Sequence, residues 1–557
     1  MHLIDWIILV STLLSIVIYG TIKTRGAKSS LDYIKAGNQA KWWTIGLSVM
    51  ATQASAITFL STPGQAFHDG MGFIQFYFGI PLAIIIVCMV FIPIYHKLKV
   101  YTAYEYLESR FDLKTRTLTA LLFLIQRSLS AGITIFAPAI ILSSVLGWDL
   151  TTLNIVLGLL VIIYTVSGGT KAVNYTQKYQ MGIIFIGLLI CLAVIINLLP
   201  ENISFRNAID IAGANSKLEV LNFSFDLENR YTIWSGLIGG TFLMMSYFGT
   251  DQSQVQRYLS GKSLKEMQLG MIFNGILKIP MQFFILFIGV MVFVFYQFNS
   301  SPINFNPQSI NTINNSTYEK DYKNLQDELN IIFNEKQNHI SNLLISKNDY
   351  VTNNKLSELE LKEKKLRLEA KNLIALASKE KNIKVETNDK DYVFITFILE
   401  NLPKGLIGLL LAVILSAAMS STSSEINALA TTTAIDIYKR NKKNVTDEQL
   451  VKSTKFFTFL WGIIAIGIAC VAYLADNLIQ LVNIIGSIFY GNVLGIFLIA
   501  FFFKFIKSNA VFYAAIITQI IIIYGWYNDW MPFLWLNLFG CIVVITISSL
   551  LQLVQKN

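Results

Sequence analysis

The sequence predicts an all-α polytopic membrane protein of about thirteen transmembrane helices, N-terminus outside and C-terminus cytoplasmic. Three observations predict it: composition, the length of the apolar runs, and the placement of basic residues. Of 557 residues, 54% are hydrophobic and 14% charged, far from the balance of an ordinary water-soluble domain. Runs of roughly 20 apolar residues, enough to cross a bilayer as helix, recur along the chain. Lys and Arg follow spans one, three, seven and nine and are missing from the short opposite loops.

The runs fall near 3–22, 43–67, 73–95, 117–146, 149–167, 180–199, 232–250, 268–296, 404–436, 454–475, 478–503, 510–526 and 531–553. The first is too long and too weakly flanked for a signal peptide, and no small-residue cleavage site follows it. Lys23, Arg25, Lys28, Lys35 and Lys41 follow span one, and Lys97, Lys99, Arg110, Lys114 and Arg116 follow span three. Arg257, Lys262 and Lys265 follow span seven, and Lys439, Arg440, Lys442 and Lys443 follow span nine. The loops around 68–72, 147–149 and 476–478 carry neither Lys nor Arg, so the positive-inside rule sets the orientation. The net charge of +9 is thereby a topology signal and gives no case for nucleic-acid binding.

Three segments follow. Residues 1–296 and 392–557 form two parts of one transmembrane domain. Between them, 297–391 is a polar, Asn- and Lys-rich extracytoplasmic insertion. There, Leu356, Leu359, Leu366 and Leu373 recur at near-heptad spacing, and 321–346 reads as a second helix. The pattern predicts an external helical hairpin; a charged, unfolded insertion is the alternative.

Cys88, Cys191, Cys470 and Cys541 sit within spans and lack metal or disulfide spacing. Nucleotide-binding, zinc-protease and hydrolase motifs are missing, so the sequence spells out no ATP-driven pump and no obvious enzyme. The polar groups inside the spans carry the chemistry. The segment 415–438 is crowded with hydroxyls and bears a carboxylate, and at helical spacing Ala417, Ser420, Ser421, Ser424 and Glu425 share one side. Polar groups at bilayer depth face a cavity or an ion, although small hydroxyl residues also serve helix packing. Span two has small and amide residues at mid-membrane, Ala51 to Thr58, and span seven has the glycine cluster Ser235 to Thr241. Interruptions at matching places in two halves point to an inverted repeat with a central site; glycine packing is the alternative.

The segments Trp42 to Phe59, Gly168 to Val173, Gly249 to Arg257 and Ser420 to Tyr438 together resemble the sodium/solute symporter family. That family includes sodium-coupled sugar, sialic acid, iodide and monocarboxylate carriers. The likeness covers nearly everything outside 297–391. It implies the LeuT-like inverted five-plus-five repeat, built from spans two to six and seven to eleven, and a multi-pass place in the cell membrane, the inner membrane in a bacterium. It also implies sodium as the coupling ion, a small-molecule substrate, the lipid bilayer as surroundings and a monomeric working unit. By this resemblance, sodium is held by the carbonyls of Ala51, Ala54 and Ala417 and the hydroxyls of Ser420 and Ser421, hard oxygens suited to a hard cation. A second ion site found in some members maps to Ser423 and Ser424, but its Asp position is Gln177. Loss of that charge implies a single coupled sodium, with Glu425 as a substitute or an ion-release guide.

For the substrate, the resemblance implicates Gln53 and Thr58 on span two with Ser55 beside them. It adds Tyr247 and Lys278, the latter equally a lysine that snorkels to the cytoplasmic surface; Phe73 and Gln75 of span three are further candidates by position, with ordinary core packing the alternative for Phe73. Arg127, within span four, needs a partner: a substrate carboxylate, a protein acid, or water at the cytoplasmic surface. Sialic acid carriers use an Arg on this helix, and Ala137-Pro138-Ala139 resembles the iodide and monocarboxylate branch. The expected function is sodium-coupled import of a small polar solute by alternating access, an organic anion such as sialic acid or a monocarboxylate. A sodium/sugar symporter and a sodium-independent carrier are the alternatives.

Overall fold

Backbone amides in hydrocarbon find no water, so a spanning chain must satisfy them within helices. The computed structural model describes residues 2–24, 29–345, 350–383, 385–442, 444–472 and 478–554. Among these residues the protein is helical apart from turns, loops and one isolated bridge, Ala40 to Gly261. Arg25, Lys28, Lys443 and most of the loop around 476–478, used above for topology, lie outside them.

Nine described helices are long and apolar enough to cross a membrane, and Leu3–Ile16 and Leu150–Ile163 are shorter apolar helices. The remaining expected spans are broken ones. Span two is split into an inner half-helix, Trp42–Gln53, and an outer half-helix, Ala56–Asp69. Span seven behaves differently from the sequence expectation. Its glycine cluster does not unwind but forms a π-helical turn, Ser235–Gly239, that runs into Gly240–Gly249. A Cβ on Gly236 would lie 2.0 Å from the Gln75 carbonyl, so these glycines admit the neighbouring chain. The interruption of span seven comes later, at Thr250 and Asp251, before the short helix Gln252–Tyr258.

Contacts at the two ends of the bundle match the orientation set by charge. At the basic end, Arg116 pairs with Glu108 and Asp436 at 2.7 Å each, Arg440 reaches Glu108 at 2.6 Å, and Asp447 accepts from the Ser30 amide at 2.8 Å. At the other end, Lys390 meets Asp69 at 2.5 Å, Lys217 donates to the His68 carbonyl at 2.9 Å, and Asp391 caps Leu478 at 3.0 Å. Loops assigned to one side of the membrane touch each other.

The insertion holds the long helices Glu319–Ile345 and Tyr350–Glu380, packed together. Leu329 and Ile332 of the first share a small core with Leu359, Leu366 and Ile374 of the second. Ile340 and Leu356 belong instead to the main transmembrane core, so the hairpin lies against the carrier body. Charges fix it there. Buried Lys336 sits 2.6 Å from both Glu360 and Glu363, Glu360 also takes Lys217 at 2.7 Å, and Arg367 holds Glu363 at 2.8 Å. Burial alone would raise the Glu363 pKa, but Lys336 and Arg367 outweigh it and hold the carboxyl well below the usual range.

A carboxyl depressed in the folded state stabilises above its unfolded pKa, about 4.3, and loses that contribution as pH falls toward its folded value. Glu363→Gln is therefore expected to loosen the hairpin by about 3 kcal/mol at neutral pH, with a difference from wild type that shrinks below about pH 4. Hydrogen exchange across 319–380 measures it, and a pH-independent difference would contradict the assignment.

Candidate functional site

The site begins where span two breaks. Ala54 adopts φ −82° and ψ 68° and Ser55 is extended, so the Ser55 amide leaves the helical ladder and the Ala51 carbonyl loses its partner. Neither Gly nor Pro forces this break; compensating side chains stabilise it. Ser420, on the buried helix Leu406–Thr432, donates to the Ala51 carbonyl at 3.3 Å, and Thr58 reaches back to the Gln53 carbonyl at 3.3 Å. Ser421 donates within its own helix to the Ala417 and Ala418 carbonyls, at 3.0 and 3.2 Å.

All five residues matched to the sodium site are buried: Ala51, Ala54, Ala417, Ser420 and Ser421. A serine that donates its proton keeps lone pairs on oxygen, so Ser420 and Ser421 remain able to ligate. Carbonyl and hydroxyl oxygens without thiol or imidazole suit sodium in kind.

The residues matched to a second ion are also together, in a different arrangement. The Gln177 amide nitrogen lies 2.9 Å from Ser424 Oγ, 3.2 Å from Thr52 Oγ1 and 3.4 Å from the Ser420 carbonyl, while its oxygen accepts from Ser48. Thr52 and Ser424 are 3.0 Å apart, and Ser423 turns back to the Ser420 carbonyl at 3.0 Å. An N–H donor therefore stands where three oxygens converge. Glu425 points elsewhere.

Beside the break lies a cavity of about 110 Å³, lined by Gln53, Ser55, Thr58, Arg127, Tyr247 and Lys278 among others. Span eleven contributes Ile479, Val482, Asn483 and Tyr490, which sequence reasoning missed. Phe73 and Gln75 line a separate outer depression of about 1000 Å³. Gln75 is held by the Gly72 and Tyr231 carbonyls at 3.1 Å and the Asn222 amide at 2.9 Å. Phe76 and Tyr77 take their place at the cavity. Residues 70–77 form a 3-10 run in which positions three apart eclipse, and Phe73 stacks on the outer side of Phe76.

Arg127 finds its partners in the protein. Its guanidinium lies 2.9 Å from Glu425, 2.6 Å from the Tyr490 hydroxyl and in direct contact with Asp251. Tyr490 also donates to Asp251 at 2.8 Å, and the carboxylate's other oxygen caps Ser253 at 2.8 Å. Tyr247 lies with its ring 5.6 Å from the guanidinium and its hydroxyl 2.6 Å from Gln254. Four segments, 113–146, 252–258 with its cap, 406–432 and 478–502, are thus tied through one arginine. Asp251 and Glu425 were the available signal: an intramembrane Arg and two intramembrane acids are natural partners.

Lys278, in contrast, is buried on the cavity wall, and among the described residues no carboxylate lies within hydrogen-bonding reach. Its amine lies 5.7 Å from the centroid of the Tyr77 ring.

A bundle with a broken span two, hydroxyls facing the break and a polar cavity at mid-membrane is that of a secondary carrier. The chain belongs to the sodium:solute symporter family, whose model matches residues 33–329 and 366–518. That match enters the insertion from both sides, so the stretch without a family counterpart is narrower than 297–391. The chain is 25% identical over 555 residues to the Sodium/sialic acid symporter SiaT of Proteus mirabilis (strain HI4320), covering 98% of this chain and 94% of that protein. It is 30% identical over 257 residues to the human Sodium-coupled monocarboxylate transporter 2, spanning 46% of this chain and only 41% of that relative. Among solved structures, a substrate-bound outward-open state of a Na+-coupled sialic acid symporter shares the fold, with TM-score 0.75, 24% identity, and 99% and 98% of the two chains covered.

Removing the guanidinium alone would strand two buried carboxylates. Arg127→Gln is expected to cost about 3–5 kcal/mol in thermal unfolding of the purified protein. Arg127→Gln with Glu425→Gln should recover part of that loss, and strictly additive effects would contradict the shared network.

Proposed function

We propose that this protein is a sodium-coupled symporter that imports a small polar organic anion by alternating access. The observation that carries the reading is the break at Ala54 and Ser55 facing Ser420 and Ser421 beside the cavity. Sodium from outside is held by the Ala51, Ala54 and Ala417 carbonyls and by Ser420 and Ser421. It ties the inner half-helix to the serine-rich helix and so favours the state in which Gln53, Ser55 and Thr58 meet the substrate. Tyr247, Tyr490 and the Arg127 network close the cytoplasmic side below. Loss of sodium to the cytoplasm unties the two helices, and the substrate leaves past Tyr247.

The relatives support an organic anion, because the sialic acid and monocarboxylate carriers named above are carriers of such solutes by name. Arg127 serves that reading less directly than its position on span four suggests, since protein carboxylates already surround it. The Gln177 amide, set among Thr52, Ser424 and the Ser420 carbonyl, supports one coupled sodium rather than two.

Two measurements test this. Sodium in place of choline should raise the Tm of the purified protein, by an amount worth about 2.7 kcal/mol at 100-fold over Kd. Ser420→Ala with Ser421→Ala should abolish that rise while leaving the protein monodisperse; a retained rise sinks the sodium site. The sodium dependence should follow a Hill coefficient of one. A coefficient clearly above one that falls to one in Gln177→Ala would show a second coupled ion.

A further inference from the structure

A second groove, of about 690 Å³, opens at the outer end of the bundle between residues 227–230 and span thirteen. Glu228, Arg230 and Asp529 form a charged mouth, and Trp535, Leu538, Phe539 and Ile542 of Phe533–Val554 form its floor. Trp535 and Ile542 lie seven residues apart, a drop of about 10 Å along the helix toward the bilayer centre. Ile542 is half-exposed, so the floor continues into the lipid-facing surface. Trp530 and Trp535 line the groove, and Trp234, Trp526 and Tyr527 stand exposed at the same outer end. Such rings collect where hydrocarbon meets headgroups. The extended loop ahead of span seven turns Leu221, Phe223, Phe225 and Leu227 outward at alternate positions, and the Trp234 indole holds it through the Phe223 carbonyl at 3.2 Å. The mouth carries three demands. Glu228 and Asp529 are in no ion pair among the described residues. The Trp535 indole N–H is shielded from solvent and has no acceptor among them, which is costly for a donor. Arg230 adds a guanidinium beside them, with its Nη1 on Gln480 at 2.9 Å.

We propose that this groove binds a phospholipid of the outer leaflet whose zwitterionic headgroup carries an ammonium. The ammonium meets Glu228 and Asp529. The phosphate and ester oxygens take the Trp535 N–H and the Arg230 guanidinium, and an acyl chain lies along Leu538, Phe539 and Ile542. An anionic headgroup would bring its charge against two carboxylates with no ammonium to offset them. A lipid lacking the headgroup would leave both acids and the indole unmatched. Glu228 and Arg230 also line the outer depression, so the bound lipid buttresses one wall of it. The groove shares no residue with the transport cavity, and the inference stands apart from the symport reading.

The test uses the full chain, purified and stripped of native lipid by detergent washing, with thermal unfolding followed against added lipid. Phosphatidylethanolamine and phosphatidylcholine should raise Tm saturably by several degrees. They should do so at about tenfold lower concentration than phosphatidylglycerol, the effect of two exposed charge pairs acting together. Diacylglycerol, which lacks the headgroup, and glycerophosphoethanolamine, which lacks the chains, should give no shift. Glu228→Gln with Asp529→Asn should bring the three phospholipids within about threefold of one another. Trp535→Phe should weaken all three alike. Equal effects of the three phospholipids on the wild type would mean general solvation by lipid and would overturn the proposal. So would tighter binding of phosphatidylglycerol, no shift from any phospholipid, or a full shift from either fragment alone. An unchanged preference in the double variant, or unchanged binding in Trp535→Phe, overturns it as well. If the variants fail to fold, the headgroup and fragment selectivity of the wild type decides the matter.

Discussion

The Ala51 carbonyl, freed by the break in span two and recaptured by Ser420, is the contact on which the site depends. In hydrocarbon, a helix cannot open at mid-depth unless something else meets the released backbone groups. Here Ser420 of the opposite repeat meets the Ala51 carbonyl and Thr58 of the same span meets the Gln53 carbonyl, so the break is supported from both sides. The hydroxyl density of 415–438 follows from that demand. Residues that merely helped helices to pack would not need to aim at a carbonyl that another helix has lost.

The buried charges obey the same logic of completion. Arg127 draws an acid from the serine-rich helix and another from the cap of 252–258, and Tyr490 closes the ring. In the proposed transport cycle these elements separate on the inner side, so the lock would have to seal and yet yield to a change one turn away, at Ser420 and Ser421. Gln177 completes another group in a neutral way, an amide standing among oxygens where a carboxylate would invite an ion.

Much of this was legible in the residues. Each of the thirteen apolar runs holds helix among the described residues, with span two broken at Ala54 and Ser55, because run length is a direct consequence of bilayer thickness. The break at Ala54 and Ser55 was visible as small and amide residues where lipid favours aliphatic ones. The glycines of span seven were misread, since composition does not distinguish a close approach from an unwound turn. Phe73 and Gln75 line the outer depression while Phe76 and Tyr77 line the cavity, a difference in depth along one span that composition does not encode. The partners of Arg127 lie 124 and 298 positions away, and proximity over such separations is a property of the bundle.

The insertion closes on itself where it leaves the bundle. The Phe305 amide donates to Asp389 at 3.0 Å, and Asn306 donates to the Glu386 carbonyl at 3.0 Å. Its two ends are thus stapled before the hairpin begins, and the chain length between the staples adds little to the entropy of closing them. Such a junction is a natural splice point. A folded unit, a fluorescent reporter or an affinity handle grafted between these anchors keeps the two ends in place, but it has to replace the contacts that Ile340, Leu356 and Glu360 make with the bundle.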